Sequence, residues 1–321
     1  MSDFSSKRNF GFVGLGLMGG SFAKAIRMIS QNTGGQWLKA DKLFALDSNP
    51  LSLREAEENG IIDEVFPPEK AGEMLNCCDV VFICLYPKNA IEFLKKHREE
   101  FKSGAIVTDI SGVKTPLMQE MRDILRPDVD FICGHPMAGS EKEGYLNADW
   151  NIFKGRNYIL MRLPSNKTEN IEFFKDLMWK IGFSRITETD VATHDHKIAF
   201  TSQLCHIIAS ALVESAEDAE ITAFGGGSFE DLTRIAMINA PLWTELFLAN
   251  KENLLSHIDS FEDALQKIKN YIKTENAEEL SETLDQIRKK RITMVRRESA
   301  PRAGLSPENQ KKDEKHTGDK L

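Results

Sequence analysis

Gly14, Gly16 and Gly19 stand in a GLGLMG run, directly after the apolar stretch FGFVG at residues 10–14 and directly before a stretch of helical pattern at residues 22–28. A strand, a glycine-rich turn and a helix in that order constrain this chain more than any other feature. They call for a βαβ unit of a doubly wound α/β sheet, with a dinucleotide at the turn. Gly14 permits the tight turn, Gly16 lets a pyrophosphate approach the backbone, and Gly19 lets the helix pack close to the strand. Leu17 and Met18 complete the turn, where the helix N-terminus offers unpaired N–H groups to phosphate. A second apolar run, LFALD at residues 43–47, ends in Asp47. A carboxylate there accepts ribose hydroxyls and repels a 2′-phosphate, so NAD is expected rather than NADP. Asp47 follows Gly19 at a longer spacing than the usual ~20 residues. The polar, glycine-containing stretch at residues 30–40 accounts for the delay as a loop insertion.

Further apolar runs at residues 80–84 (VVFIC), 105–108 (AIVT), 131–133 (FIC) and 158–161 (YILM) alternate with helical stretches. Continuous apolarity is the mark of buried parallel strands, so the expectation is a Rossmann-type, mainly parallel sheet. After Asp190 the period becomes helical and strands stop. A chain of 321 residues exceeds one ordinary core, which divides it into a dinucleotide-binding domain at residues 8–188 and an all-α domain at residues 189–297. Within the second, Leu254, Ile258, Phe261, Leu265, Ile268 and Ile272 form one seam in steps of four and three. Leu280, Leu284 and Ile287 continue the rule. Such stripes need a cover, and a second copy of the chain is the economical one, giving a homodimer through the C-terminal helices; a monomeric bundle is the other arrangement. Residues 298–321 are polar, with mixed charge, and are expected to be a disordered tail.

A net charge of −8 argues against a phosphate-backbone binder, so no nucleic acid is expected. No run approaches the ~20 apolar residues of a membrane span, and the first eight residues lack an apolar leader core. Five cysteines, an odd number without framework spacing, fit a reducing cytoplasm. His194, Asp195 and His196 are adjacent, and adjacent helical positions face different ways, so no metal site is expected and packing is the reading for both histidines.

Two further segments carry chemistry. TDISGVK includes Asp109, Ser111 and Lys114; GHPMAGSEK includes His135, Ser140 and Glu141. Both follow strands at the carboxyl edge, where open α/β sheets place ligands. His135 titrates in the range a general base needs, and it can equally be a turn residue beside Pro136.

Taken together, GLGLMGGS, TDISGVK, GHPMAGSEK and GGGSFEDLTRIA, in that order, resemble the prephenate and arogenate dehydrogenases of tyrosine biosynthesis. The resemblance runs from about residue 10 to residue 297. It implies oxidative decarboxylation of a cyclohexadienol, with His135 as general base and Arg234 gripping a substrate carboxylate. Arg234 has a second reading, an ion pair with Asp231. The same resemblance places Asp195 and His206 in the substrate pocket, with His206 toward the pyruvyl group of prephenate; an acid there would favour the ammonium of arogenate. Prephenate is therefore the expected substrate. Ser140 and Glu141 fall at a polar gate, Lys114 at a carboxylate or phosphate contact, and Trp243 at an aromatic supporting the pocket. One departure concerns Ser111. Many relatives read Gly-Ser-Val-Lys where this chain has Ser111-Gly112-Val113-Lys114, so the catalytic serine is displaced by one position. Without an appended regulatory domain or mutase the enzyme is expected to be monofunctional, and tyrosine, if it inhibits, to compete at Arg234 and His206. A β-hydroxyacid dehydrogenase and a non-catalytic nucleotide-binding scaffold are the alternatives.

Overall fold

The computed structural model describes residues 7–32 and 40–294. Residues 33–39, within the expected insertion, and the expected tail at 298–321 lie outside the described residues. The α/β part runs β1 (Arg8–Val13), α1 (Leu17–Asn32), β2 (Ala40–Leu46), α2 (Pro50–Glu58), β3 (Glu64–Phe66), α3 (Ala71–Cys77), β4 (Val80–Ile83), α4 (Pro87–Lys96), β5 (Ile106–Asp109), α5 (Thr115–Ile124), β6 (Asp130–Pro136), β7 (Asn157–Met161), α6 (Thr168–Ile181) and β8 (Arg185–Thr189). Helices α7 (Val191–Ile198), α8 (Leu204–Glu214), α9 (Gly227–Thr233), α10 (Ala240–Ala249) and α11 (Lys251–Lys273) follow, with one π-helical stretch, Ala199–Gln203, between α7 and α8.

The strands form one eight-stranded sheet in the order β3-β2-β1-β4-β5-β6-β7-β8. Parallel pairing holds from β3 through β6; β7 is antiparallel to β6, and β8 is parallel to β7. The reversal at β7 has a local cause. No α-helix returns the chain between β6 and β7. Two short 3-10 turns, Tyr145–Asn147 and Trp150–Phe153, lie across α1 instead. There Lys24 Nζ donates to the carbonyl of Ala148 at 2.7 Å, and Asp149 N to Ser21 Oγ at 3.0 Å.

Alternation along the central strands sends side chains to two cores, one on each face. Phe10 and Phe12 of β1, Val80 and Phe82 of β4, and Tyr158 and Leu160 of β7 join Phe22 and Phe174 on one face. Val13, Val81, Ile83, Val107 and Phe131 join Leu94 and Leu117 on the other. Each fully buried side chain of this size contributes about 1.5–3 kcal/mol, so the double burial holds the carboxyl edge of the sheet rigid.

Two of the eight strands lie outside the six apolar runs. β3 is three residues long, and β8 (RITET) is partly exposed; both are edge strands with no continuous apolar run. By contacts the chain divides into Met1–Glu275 and Asn276–Leu321. The second unit contains one described helix, α12 (Ala277–Thr293), on which Leu284 and Ile287 are exposed. In the first unit the expected seam lies on α11, with Leu254 buried and Leu265 and Ile272 more than half exposed. Among the described residues no helix is long and apolar enough to cross a membrane.

Candidate active site

The glycine turn has the geometry that a dinucleotide needs. Gly14 sits at φ 92°, its N–H bonded to the carbonyl of Leu46 at 2.8 Å. A Cβ on Gly19 would lie 2.0 Å from the Gly14 oxygen, so α1 reaches β1 only because residue 19 has no side chain. Gly16, by contrast, has nothing within 4 Å of where a Cβ would stand, which leaves its backbone open to a pyrophosphate. Leu17 begins α1, and Met18 packs partly into the core. Asp47 follows the end of β2; its carboxylate accepts N–H bonds from Leu15 at 2.5 Å and Asn49 at 2.7 Å. These residues fit an NAD-type group: the start of α1 would hold its phosphates and Asp47 its adenosine ribose.

A second cluster gathers where β5 and β6 end against α7. His135 is half-buried at the end of β6, with Nδ1 2.9 Å from His194 Nε2. His194 Nδ1 lies 2.7 Å from Asp195 Oδ1, and Asp195 accepts the backbone N–H groups of Lys114 at 3.0 Å and Thr115 at 2.8 Å, at the start of α5. Burial, then the proximity of His194 and Lys114, hold His135 well below its ordinary value of 6.5, so the ring is neutral near pH 7. Its Nε2 faces Gly112, where a Cβ would stand 3.8 Å from that nitrogen.

Beside it Lys114 Nζ is fully enclosed, 2.6 Å from Asp109 Oδ2 and bonded to the carbonyl of Gly134. Ser111 is buried too, its Oγ donating to Asp109 Oδ2. This arrangement shows where the expected residues lie. Lys114 and Asp195 are fully buried. The hydroxyl of Ser111 turns inward to Asp109, and the position beside His135 Nε2 belongs to Gly112. His194, expected to pack, is buried and bonds to His135 and Asp195; His196 is exposed.

Arg234, His206 and Trp243 come from the helical part. Arg234 begins the 3-10 turn after α9, and its Nη1 lies 3.8 Å from Glu141 Oε2, both side chains exposed. Its ion-pair partner is thus Glu141, not Asp231. Glu141 follows His135 by six residues, so the pair lies within about 20 Å of the histidine along the chain. The His206 ring stacks on Trp243 at 3.7 Å and donates from Nδ1 to the carbonyl of Ser202 at 2.9 Å. Burial and, more weakly, the charge of Arg234 lower its pKa despite that bond. Ser140 is exposed, with Oγ accepting the N–H of Lys142 at 3.1 Å. Asn239 bridges Glu143 at 2.5 Å and Tyr86 at 2.9 Å, tying α10 to the loop after His135. Asn239, Gln203 and Asn250 are polar residues on or beside helices that no motif singles out; only their buried or bridging bonds mark them.

Two family models match the chain: prephenate dehydrogenase, nucleotide-binding domain, over residues 36–187, and prephenate dehydrogenase, dimerization domain, over residues 190–286. The prephenate dehydrogenase of Bacillus subtilis is 28% identical over 274 residues, 83% of this chain and 71% of that protein. The cyclohexadienyl dehydrogenase of Zymomonas mobilis is 26% identical over 293 residues, 89% of this chain and 96% of that protein. A crystal structure of prephenate dehydrogenase from Aquifex aeolicus, in complex with hydroxyphenyl propionate and NAD+, has a TM-score of 0.79 at 32% identity, covering 90% of this chain and 99% of that one.

Proposed function

The chain belongs to the prephenate dehydrogenase family, and on that premise we propose that it converts prephenate, with NAD, to 4-hydroxyphenylpyruvate and CO2. It is an NAD-dependent dehydrogenase with a Rossmann-type nucleotide-binding domain. When bound at Gly14, Gly16 and Gly19, with Asp47 on the ribose, the dinucleotide supplies the acceptor for the hydride leaving ring C4. His135 takes the C4 hydroxyl proton at Nε2. Loss of CO2 from C1 then returns its electron pair to the ring, and the same nitrogen gives the proton to the phenolate oxygen, so no net proton is consumed. Arg234 grips a substrate carboxylate, for which a guanidinium has a matching fork and a charge it does not lose. The observation that carries this reading is a neutral His135 whose Nε2 is its unengaged nitrogen, on a chain whose next loop meets an exposed arginine.

Arg234→Ala tests the carboxylate contact. Charge-assisted hydrogen bonds are worth about 1.5–3 kcal/mol, so KM for prephenate is expected to rise about 10–150-fold with a smaller change in kcat. An unchanged KM in steady-state rates would remove Arg234 from the substrate site.

A second reading, arogenate, rests on one observation. With Nδ1 donating to Ser202, a neutral His206 offers Nε2 as an acceptor, which suits an ammonium. On the prephenate reading the ring must be protonated, and the anionic substrate favours that form. The exposed apolar residues of α11 are proposed to meet a second copy of the chain, making the working enzyme a homodimer.

A further inference from the structure

We infer that His194 is the positioning residue that fixes the tautomer of His135, as the middle member of an Asp195–His194–His135 relay anchored in the backbone of α5. The inference deepens the reading of His135 as general base. It follows from donor and acceptor accounting. Asp195 takes two backbone N–H groups at the start of α5, where the helix N-terminus favours negative charge. Burial opposes that charge, yet the bonds from His194, Thr115 and Lys114 outweigh it and hold the carboxyl below its ordinary value. An ionised carboxylate only accepts, so the proton of His194 sits on Nδ1, 2.7 Å away. His194 Nε2 is then bare and must accept. Its partner at 2.9 Å, His135 Nδ1, therefore carries the proton, and His135 Nε2 is left with the lone pair that a base requires. A free histidine side chain prefers the other tautomer, so the relay opposes the intrinsic bias.

His194 is 2% exposed and Asp195 fully buried, so water does not readily take the place of either. The helix carrying them is pinned from the far side: Asn250 Nδ2 donates to the Asp195 carbonyl at 2.8 Å and to Gln203 Oε1 at 2.8 Å, and Gln203 Nε2 donates to the carbonyl of Leu246 at 2.8 Å. Gln203 closes the π-helical stretch, an insertion that re-aims a helix and recurs at functional sites. The titratable groups acting on His135 are His194 from α7, itself paired with Asp195, and Lys114 from the β5–α5 loop, paired with Asp109 at the end of β5.

The test compares His194→Phe with His194→Gln in the full chain. Phenylalanine keeps bulk and removes the acceptor; glutamine can donate to Asp195 and accept from His135. In His194→Phe, kcat is expected to fall about 100-fold or more, as loss of a tautomer-setting partner does elsewhere, with KM within about twofold and the acid limb of the kcat profile displaced. His194→Gln recovers kcat to within about tenfold of the parent. Nitrogen-15 NMR of labelled histidine reads the tautomer directly and needs no turnover, so failure of the reaction assignment and failure of the relay are distinguishable. The expected spectrum has His135 protonated on Nδ1 in the parent and His194→Gln, and on Nε2 in a substantial fraction of His194→Phe. A parent His135 protonated on Nε2, or a His194→Phe protein with unchanged kcat and tautomer, would overturn the relay.

Discussion

Replacing His135 by asparagine lowers kcat by about 10²–10⁴-fold, the usual loss when a positioned general base is removed. Asparagine is the informative choice because its amide can still donate to His194 Nε2, so no acceptor is stranded in the buried relay. The loss should therefore fall on turnover while unfolding midpoint and NAD affinity stay close to the parent. The same geometry fixes a pH dependence. Burial, His194 and Lys114 all depress the His135 pKa below 6.5. The neutral, proton-accepting ring thus persists as pH falls through 6.5, and kcat/KM declines only at lower pH, where the folded-state group titrates. A profile whose acid limb lies at or above 6.5 would contradict a buried neutral base.

Replacing Lys114 by methionine acts on stability. The Lys114–Asp109 pair is almost completely buried, with side chains 0% and 1% exposed. Removing one partner leaves an enclosed carboxylate with no cation, which costs about 3–5 kcal/mol. Ser111 Oγ and Ser111 N would still bond to Asp109, but neither neutralises it. Urea unfolding of Lys114→Met should show a loss of that size, and Lys114→Met combined with Asp109→Leu should recover much of it, since the second change removes the stranded charge. Lys7→Met provides the contrast: its ion pair with Asp41 is 68% and 47% exposed, and such pairs contribute about 0–1 kcal/mol. A loss of under 1 kcal/mol in Lys114→Met would show that the buried pair does not hold the β5–α5 loop.

The central sheet was legible because its strands are buried on both faces, and double burial writes continuous apolar runs such as VVFIC. β8 escaped notice for the converse reason: an edge strand reading RITET buries too little to leave a pattern. The placement of the glycine turn, Asp47 and His135 was legible because each is tied to the end of a strand by local backbone geometry. The partners of Lys114, Ser111, Asp195 and His194 were not. Whether a polar residue faces substrate or its own neighbours depends on how α7 docks against β6 and α5, a tertiary fact with no local signature. The displaced serine shows the same limit. Spacing located Ser111 to within one residue, and that one residue decides between a hydroxyl at His135 Nε2 and a hydroxyl on Asp109.

The most direct measurement is the initial rate of NADH formation by the purified chain with NAD, supplied with prephenate or arogenate, with the organic product and CO2 quantified. The account predicts NADH, CO2 and 4-hydroxyphenylpyruvate in equal amounts from prephenate, and a preference for prephenate over arogenate that grows as pH falls and His206 protonates. Turnover of arogenate alone would retain His135 and Arg234 but reverse the reading of His206, and absence of NADH from both substrates would contradict the assignment of the site.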